Sequence, residues 1–232
     1  MGSILCLETS SKVCSVALGK DGAILSCRES ELENAHSSKL THLIEQTLGD
    51  AGMELQDLSA VAVSMGPGSY TGLRIGVAAA KGICYALEKP LIAIPTLKSL
   101  AYGMRKNAGT AGAMLCPMLD ARRMEVYTAV FDEMLDEIQP VSAEIISGDS
   151  FAALLRSGKI VFAGEGSFKC KPLLGIHKNA VFLDDFRLSA NFLYPLATER
   201  FREGAFENLA YFEPYYLKDF IAGKPRVKGL KD

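Results

Sequence analysis

The sequence predicts an α/β protein in which helices cover a mixed β-sheet. Three short apolar runs follow one another near the N-terminus and predict an antiparallel meander. Buried strand patterns then alternate with helical patterns, which is typical of parallel strands joined by crossover helices. The pattern starts again in the second half, and a chain of 232 residues that is 49% hydrophobic can bury a substantial core.

The predicted meander comprises strands at 3–8, 13–19 and 23–30, and Lys20-Asp21-Gly22 supplies the turn before the third strand. A helix is predicted at 36–51, because apolar residues recur there at the helical period. This stripe consists of Leu40, Leu43, Ile44, Thr47, Leu48 and Ala51.

The same unit continues with a buried strand at 60–63, which leads through Gly66-Pro67-Gly68-Ser69 into a helix at 71–87. A strand at 91–94 and a helix at 96–106 follow. The element order βββαβαβα predicts a ribonuclease-H-like unit, in which helices cover the sheet.

Small and flexible residues at 107–112 predict a boundary, which divides the chain into units at 1–107 and 113–232. The strand signal is weaker in the second unit, so we expect a reduced copy of the first. Its predicted elements are strands at 113–119, 124–131, 160–163 and 181–183, and helices at 149–157, 168–174 and 189–203. In the last helix we expect Ser189 as the N-cap, a kink at Pro195 and termination at Gly204.

Charge and cysteine content exclude several classes of protein. The 25 Lys and Arg residues against 27 Asp and Glu residues give a net charge of -2, so no general attraction to nucleic acid or anionic lipid is expected. The six cysteines form no C-x-x-C pair and have mostly apolar neighbours, which indicates a reducing compartment. Without a leader peptide or a membrane-spanning run, the chain is expected to be cytoplasmic.

Two segments are candidates for an anion loop. Glu8, Thr9 and Ser10 lie in a tight hairpin after the first strand, where hydroxyls and amides could face phosphate oxygens. Gly66, Gly68 and Ser69 lie between a strand and a helix, the setting of a generic anion site, although the Lys-Ser/Thr pair of a P-loop is absent. The alternative for both is an ordinary tight turn.

The helix at 71–87 has small residues on one face, at Gly72, Gly76, Ala79 and Ala80, and Ile83 extends the stripe. Such a face allows another helix to approach closely, either within the chain or from a second chain.

Catalytic and metal sites are not indicated by the histidines. His36 and His42 lie about 120° apart on a helix, so they cannot form an i, i+4 ligand pair. Neither they nor His177 lies in the context of a nucleophile.

Two basic segments could contact an anionic ligand. Arg122 and Arg123 occupy the turn between the first two strands of the second unit, and a solvated hairpin is the alternative. The C-terminal tail combines aromatic residues with Lys218 and later basic residues, and we expect it to dock through its aromatics and leave its charges in water.

These motifs, in this order, resemble the TsaB (YeaZ) family of bacterial tRNA threonylcarbamoyladenosine biosynthesis proteins. The resemblance covers nearly the whole chain and is strongest over 1–127. The matching segments are Ile4–Ser11, Cys14–Leu18, Gly66–Gly76, Pro95–Leu97, Asp120–Tyr127 and Glu213–Leu217.

The resemblance implies an actin/Hsp70-like ATPase fold of two related subdomains, the second reduced. It also implies a non-catalytic subunit of the complex that makes N6-threonylcarbamoyladenosine at position 37 of tRNAs reading ANN codons. The catalytic relative TsaD binds metal through paired histidines, and the corresponding stretch here, 96–107, contains none. No metal or cofactor is therefore expected on the isolated chain.

The implied partners are TsaD in a heterodimer, TsaE acting with ATP, and a second copy of the chain when TsaD is absent. ATP or ADP would bind at the joint site of the complex, and tRNA would be contacted only indirectly. The implied interface uses the helices at 36–51 and 71–87, through His36, Lys39, Leu40, Leu43, Ile44, Thr47, Gly72, Leu73, Arg74, Gly76, Ala79, Ala80 and Ile83. Glu8, Thr9, Ser10, Gly66, Gly68 and Ser69 would form a vestigial phosphate loop.

Two other functions remain as alternatives. The first is a small kinase or ATPase of actin-like fold that uses Glu8 and the loop at 66–69. The second is a peptidase, against which the missing metal pair and nucleophile argue.

Overall fold

The first unit is built on a five-stranded sheet. The structure, a computed structural model, describes residues 2–31 and 36–218. β1 pairs antiparallel with β2 and parallel with β4, and the strand order is β3-β2-β1-β4-β5. The strands are β1 (Ile4–Glu8), β2 (Cys14–Lys20), β3 (Ala23–Ser30), β4 (Ala60–Gly66) and β5 (Leu91–Pro95).

The second unit repeats this topology strand for strand. Its order is β8-β7-β6-β9-β10, with an antiparallel meander followed by two parallel strands. The strands are β6 (Met114–Asp120), β7 (Glu125–Phe131), β8 (Glu137–Ile145), β9 (Ile160–Ala163) and β10 (Ala180–Phe182). The second sheet is therefore not reduced, because β8, which was not predicted, completes it.

The reduction lies in the helices of the second unit. The helices are α1 (His36–Asp50), α2 (Tyr70–Leu87), α3 (Thr96–Arg105), α4 (Ala152–Ser157), α5 (Ser167–Leu174) and α6 (Leu193–Glu203). The outer helices α1 and α2 have 15 and 18 residues, whereas their counterparts α4 and α5 have 6 and 8. None of the described helices is long and apolar enough to cross a bilayer.

The predicted last helix is divided into two parts. Ser189 caps a 3₁₀ turn at Ala190–Phe192, and α6 starts only at Leu193. Pro195 consequently lies in the first turn of α6, where a missing amide leaves no intrahelical bond unmade, and the predicted interior kink has no basis. Gly204 ends the helix in the left-handed conformation, as predicted.

Three apolar clusters arrange the chain in layers. Ile4 and Cys6 of β1 face a central cluster that also includes residues of α3, α6 and the second sheet. Leu5 and Leu7 face a cluster under α1 and α2, because successive strand residues point to opposite faces. A third cluster, around Phe162, lies between the second sheet and α4 and α5. The central cluster thus joins the two units.

The boundary segment does not separate the two units completely. A 3₁₀ turn at Ala108–Thr110 connects them, but α6 packs against β1, β4 and β5 of the first unit. Farther along, the amide of Glu207 donates to the carbonyl of Leu91 at the edge of the first sheet (2.9 Å). The C-terminal part of 113–232 therefore packs on the first unit.

Candidate functional site

A cleft lies between the two units at the carboxyl ends of β1, β4, β6 and β9, where ligands usually bind in α/β proteins. The β1–β2 hairpin borders it on one side and the β9–α5 loop on the other. Between them is a cavity of about 300 Å³, lined among others by Lys12, Leu119, Gly164, Glu165 and Leu188.

Glu8, the last residue of β1, is completely buried at the base of this cleft. Its Oε1 accepts hydrogen bonds from the amide and hydroxyl of Ser10 (2.7 and 2.5 Å) and from the hydroxyl of Ser64 (2.9 Å). Its Oε2 is buried with no partner among the described residues. Burial raises the pKa of Glu8 despite these donors, because a charged carboxylate loses its hydration there.

The β1–β2 hairpin and the start of α2 are in direct contact. The hydroxyl of Thr9 donates to the carbonyl of Gly72 (2.8 Å), and the amide of Ser69 donates to the carbonyl of Ser10 (2.7 Å). A Cβ on Gly72 would collide with the carbonyl oxygen of Thr9. A Cβ on Gly68 would lie 2.5 Å from the carbonyl oxygen of Ser10.

These contacts occupy the donors of the predicted vestigial phosphate loop. The hydroxyls of Thr9 and Ser10 and the amides of Ser10 and Ser69 are donors that such a loop would direct at phosphate, and all are bonded within the chain. At Gly66, a side chain would collide with the carbonyl of Tyr215. The glycines therefore permit close packing of the chain on itself.

The second unit repeats this arrangement around Gly164-Glu165-Gly166-Ser167. The amide of Gly166 donates to the carbonyl of Met118 (3.0 Å), with which a Cβ on Gly164 would collide. The motif matches Gly66-Pro67-Gly68-Ser69, which also joins a strand to a helix. Glu165 was missed as a cleft residue, and this internal repeat is the signal that could have located it.

Carboxylates converge in the cleft. The pKa of Glu165 is raised mainly by burial and also by the charge of Asp120, and the charge of Glu165 in turn contributes to the raised pKa of Glu8. The Glu165 carboxylate accepts a hydrogen bond from the Lys12 amide. The positive charges of Lys12 and Lys169 oppose the rise in the pKa of Glu165.

The histidines described with their side chains lie away from the cleft. His42 is exposed on α1, and His177 Nε2 is 2.9 Å from the Gly148 carbonyl oxygen. Within 2–31 and 36–218, no three His, Cys, Asp or Glu residues are close enough together to hold a metal ion. The side chain of His36 lies outside the described part.

Most of the predicted interface residues face the core of their own chain. On α1 the buried residues are Leu40, Leu43, Ile44 and Thr47, and on α2 they are Gly72, Leu73, Gly76 and Ala80. The reason is that the apolar stripe of α1 packs on the first sheet, while Gly72 and Gly76 accommodate Thr9. These residues are therefore unavailable for direct contact with a partner. Lys39, Ala79 and Ile83 are half-buried, and Arg74 is exposed.

The opposite face of α2 is exposed and carries little charge. Its exposed residues follow the helical spacing, and they are Thr71, Arg74, Ala78, Gly82, Tyr85 and Ala86. We call these six residues the outer face of α2. Tyr85 is 80% exposed, and a Cβ on Gly82 would meet no atom within 4 Å. Lys81, the other charged residue of α2, donates to the carbonyl of Phe212 (3.0 Å).

The C-terminal tail docks next to this helix. The amide of Tyr215 donates to the carbonyl of Met65 (2.7 Å), and the ring of Tyr216 lies 4.7 Å from that of Tyr70. Lys218 forms an ion pair with Glu125 at the start of β7. Docking through aromatics is confirmed for 212–216, but Lys218 pairs with Glu125, so the expectation that the tail leaves its charges in water is wrong for this residue. Phe220 and the later basic residues lie outside the described part.

Comparison with known proteins gives concordant results. The family model described as "TsaD: tRNA N6-adenosine threonylcarbamoyltransferase" matches residues 30–229. The tRNA threonylcarbamoyladenosine biosynthesis protein TsaB of Escherichia coli K12 is 32% identical over 95% of this chain and 96% of its own length.

Solved structures agree with this result. YeaZ from Pseudomonas aeruginosa superposes with a TM-score of 0.77 at 25% identity, over 94% of this chain and all of the other. Component A of (R)-2-hydroxyglutaryl-CoA dehydratase from Acidaminococcus fermentans superposes with a TM-score of 0.53 at 10% identity, over 88% of this chain and all of the other, which shows a common fold only. The duplicated βββαβαβ unit is that of the actin/Hsp70-like ATPase fold, as predicted.

Proposed function

Because the chain belongs to the TsaB proteins of tRNA threonylcarbamoyladenosine biosynthesis, within the family of the TsaD model, we propose that it is a non-catalytic subunit that binds and supports TsaD. In this proposal TsaD carries out the transfer of the threonylcarbamoyl group to the tRNA. This chain supplies a docking surface that keeps TsaD in its active arrangement.

The outer face of α2 is the observation that carries the proposal. A surface helix in a monomer normally presents charged residues to water, whereas the exposed residues of this face from Ala78 to Ala86 carry no charge. Ala78, Gly82 and Ala86 would let a partner helix approach closely, and Tyr85 offers a large aromatic anchor. A matching helix of TsaD is the proposed occupant, and a second copy of the chain takes its place when TsaD is absent.

The cleft supports a non-catalytic role. Its hydroxyl and amide donors are engaged within the chain, because Ser10 donates to Glu8 and the amide of Ser69 donates to the carbonyl of Ser10. We therefore assign ATP or ADP to a joint site of the assembled complex, on which TsaE acts.

The test is a substitution on the outer face that leaves the fold intact. Ala78→Arg adds a charged side chain at an exposed position, so the monomer should fold normally. In the complex the guanidinium would be buried without a partner, which costs about 3 kcal/mol or more and weakens binding to TsaD by about 100-fold or more. Titration calorimetry with purified TsaD measures this change, and gel filtration of the variant alone shows whether the homodimer is lost too.

The matched control is Ala153→Arg, an exposed alanine on α4 of the second unit. It should bind TsaD as the unchanged protein does. Equal affinity of Ala78→Arg and the unchanged protein for TsaD would place the contact elsewhere. Hydrolysis of Mg-ATP by the isolated chain at an enzymatic rate would overturn the non-catalytic role and favour the kinase alternative.

A further inference from the structure

The hairpin between β6 and β7 holds two arginines in a backbone conformation that arginine rarely adopts. The φ angles of Arg122 and Arg123 are 71° and 45°, in the left-handed region favoured by glycine and asparagine. Local bonds fix the turn: the Arg122 amide donates to the Asp120 carboxylate (3.0 Å), and the Glu125 amide donates to the Arg122 carbonyl (3.1 Å). Such strain persists where the surrounding structure enforces it, and it is concentrated at functional sites.

Neither arginine side chain is used inside the protein. Both residues are exposed, and no described residue forms a hydrogen bond or ion pair with either guanidinium group. A hairpin that needed only a tight turn would be more stable with asparagine or glycine at these positions. The two guanidinium groups are therefore free to contact another molecule.

The acidic residues at the hairpin are already paired. Asp120 forms an ion pair with Lys169, and Glu125 forms one with Lys218. The four cations Arg122, Arg123, Lys169 and Lys218 outnumber the three nearby carboxylates Asp120, Glu125 and Glu165, and burial raises the pKa of Glu165, on a chain whose total charge is -2. The hairpin is thus a local site for anions.

We propose that the Arg122–Arg123 hairpin, with Lys218 beside it, binds the phosphodiester backbone of RNA. The arginines are exposed rather than enclosed, which suits an extended polyanion better than a small nucleotide that needs a concave site. Guanidinium groups bind phosphate oxygens through two parallel hydrogen bonds. The hairpin belongs to the second sheet, whereas α2 covers the first.

This inference depends on the role of the family in tRNA modification and not on the proposed contact with TsaD. It replaces the expectation that tRNA is contacted only indirectly. The RNA would be positioned by its backbone, without recognition of its sequence by this chain.

The decisive variant is Arg122→Asn/Arg123→Asn. Binding to an unmodified tRNA transcript is measured by fluorescence anisotropy between 50 and 200 mM salt, for the full chain alone and for its complex with TsaD. Loss of two phosphate contacts should weaken binding by about 10-fold or more at low salt and make the salt dependence of log K shallower by about 1–2. The thermal midpoint should rise by about 2–4 °C, because asparagine tolerates the left-handed conformation.

Two controls separate specific binding from net charge and from folding. Arg122→Lys/Arg123→Lys keeps the charge and the strained backbone and should retain most of the affinity. Arg156→Asn/Lys178→Asn removes the same charge from exposed positions next to the starts of β9 and β10, at the opposite end of the sheet, and should bind as the unchanged protein does.

Three results would overturn the proposal. The first is unchanged tRNA affinity and salt dependence in the asparagine variant, or no tRNA binding by the unchanged chain in either form. The second is a loss of tRNA affinity in Arg156→Asn/Lys178→Asn as large as that in Arg122→Asn/Arg123→Asn. The third is loss of the TsaD complex with intact tRNA binding, which would assign the arginines to a protein contact. Failure of the Ala78→Arg test affects none of these measurements.

Discussion

The two units have the same strand order but differ in what covers their sheets and in what their hairpins present. In the first unit, long outer helices leave an apolar face in solvent, and the β1–β2 hairpin is packed into the cleft. In the second unit, the outer helices have 6 and 8 residues, and the β6–β7 hairpin exposes two arginines. Two copies of one sheet can therefore keep the same strand order and still expose different surfaces, an apolar helix face in the first unit and a basic hairpin in the second.

The central cluster limits how independent the two units can be. It lies between the sheets and includes residues from β1, β4 and β5 on one side and β6, β7 and β9 on the other. The outer clusters under α1 and α2 and under α4 and α5 each belong to one sheet. Three predictions sharpen or break this comparison, in order of decreasing effect.

The largest effect is expected from Leu97→Ala in α3. Leu97 is completely buried in the central cluster, so its truncation should lower the free energy of unfolding by about 2–5 kcal/mol. Because the cluster joins both sheets, urea unfolding followed by circular dichroism and by tyrosine fluorescence should give coincident single transitions. Separate transitions for the two signals would show that the units unfold independently.

The second prediction concerns the glycines that join strand to helix in each unit. Gly66→Ala and Gly164→Ala should each lower the free energy of unfolding by about 1–3 kcal/mol, because the added Cβ collides with the carbonyl of Tyr215 or Met118. Gly82→Ala on the outer face of α2 is the control, and it should raise the free energy of unfolding by about 0.5–1 kcal/mol through helix propensity. Chemical denaturation measures the free energy of unfolding of all three variants. A loss of stability at Gly66 alone would show that the two loops are not equivalent.

The third prediction is the smallest and depends on pH. Glu8 has a raised pKa in the folded protein, so the folded state retains a proton that the unfolded state releases as the pH rises above about 4.5. Stability contributed by the protonated form is present below that pH and is lost above it. Glu8→Gln keeps the acceptor oxygen and cannot ionise, so its thermal midpoint should exceed that of the unchanged protein more at pH 8 than at pH 5.

Asp120→Asn provides the counterpart in the second unit, since Asp120 ends β6 as Glu8 ends β1. This variant removes the ion pair with Lys169, so its thermal midpoint at pH 8 should not exceed that of the unchanged protein. If the difference in thermal midpoint between Glu8→Gln and the unchanged protein does not change with pH, Glu8 is ionised to the same extent in the folded and unfolded states.

The sequence was sufficient for the first sheet and for the order of its helices, because the meander and the parallel strands are strongly apolar. It was insufficient for β8, whose segment Glu137–Ile145 alternates weakly and contains Pro140. Proline is tolerated there because β8 lies at the edge of the sheet. Edge strands bury little, so hydrophobic periodicity gives only a weak signal for them.

The orientation of α2 could not be predicted for a different reason. Its inward face carries Gly72, Gly76 and Ala80, and its outward face carries Ala78 and Gly82, so both faces are small and apolar. Periodicity identifies a helix but cannot choose between two such faces. The inward face is the one that packs against Thr9, which lies far from α2 in sequence.

The buried carboxyl group of Glu8 makes the width of the cleft measurable. Water that reaches this group when the two units move apart would lower its proton affinity, so opening would release a proton to the buffer. Calorimetric titrations of a binding partner in buffers with different ionisation enthalpies would detect that proton as a difference in heat. A partner that separates the sheets can thus be distinguished from one that leaves them closed, without any label on the protein.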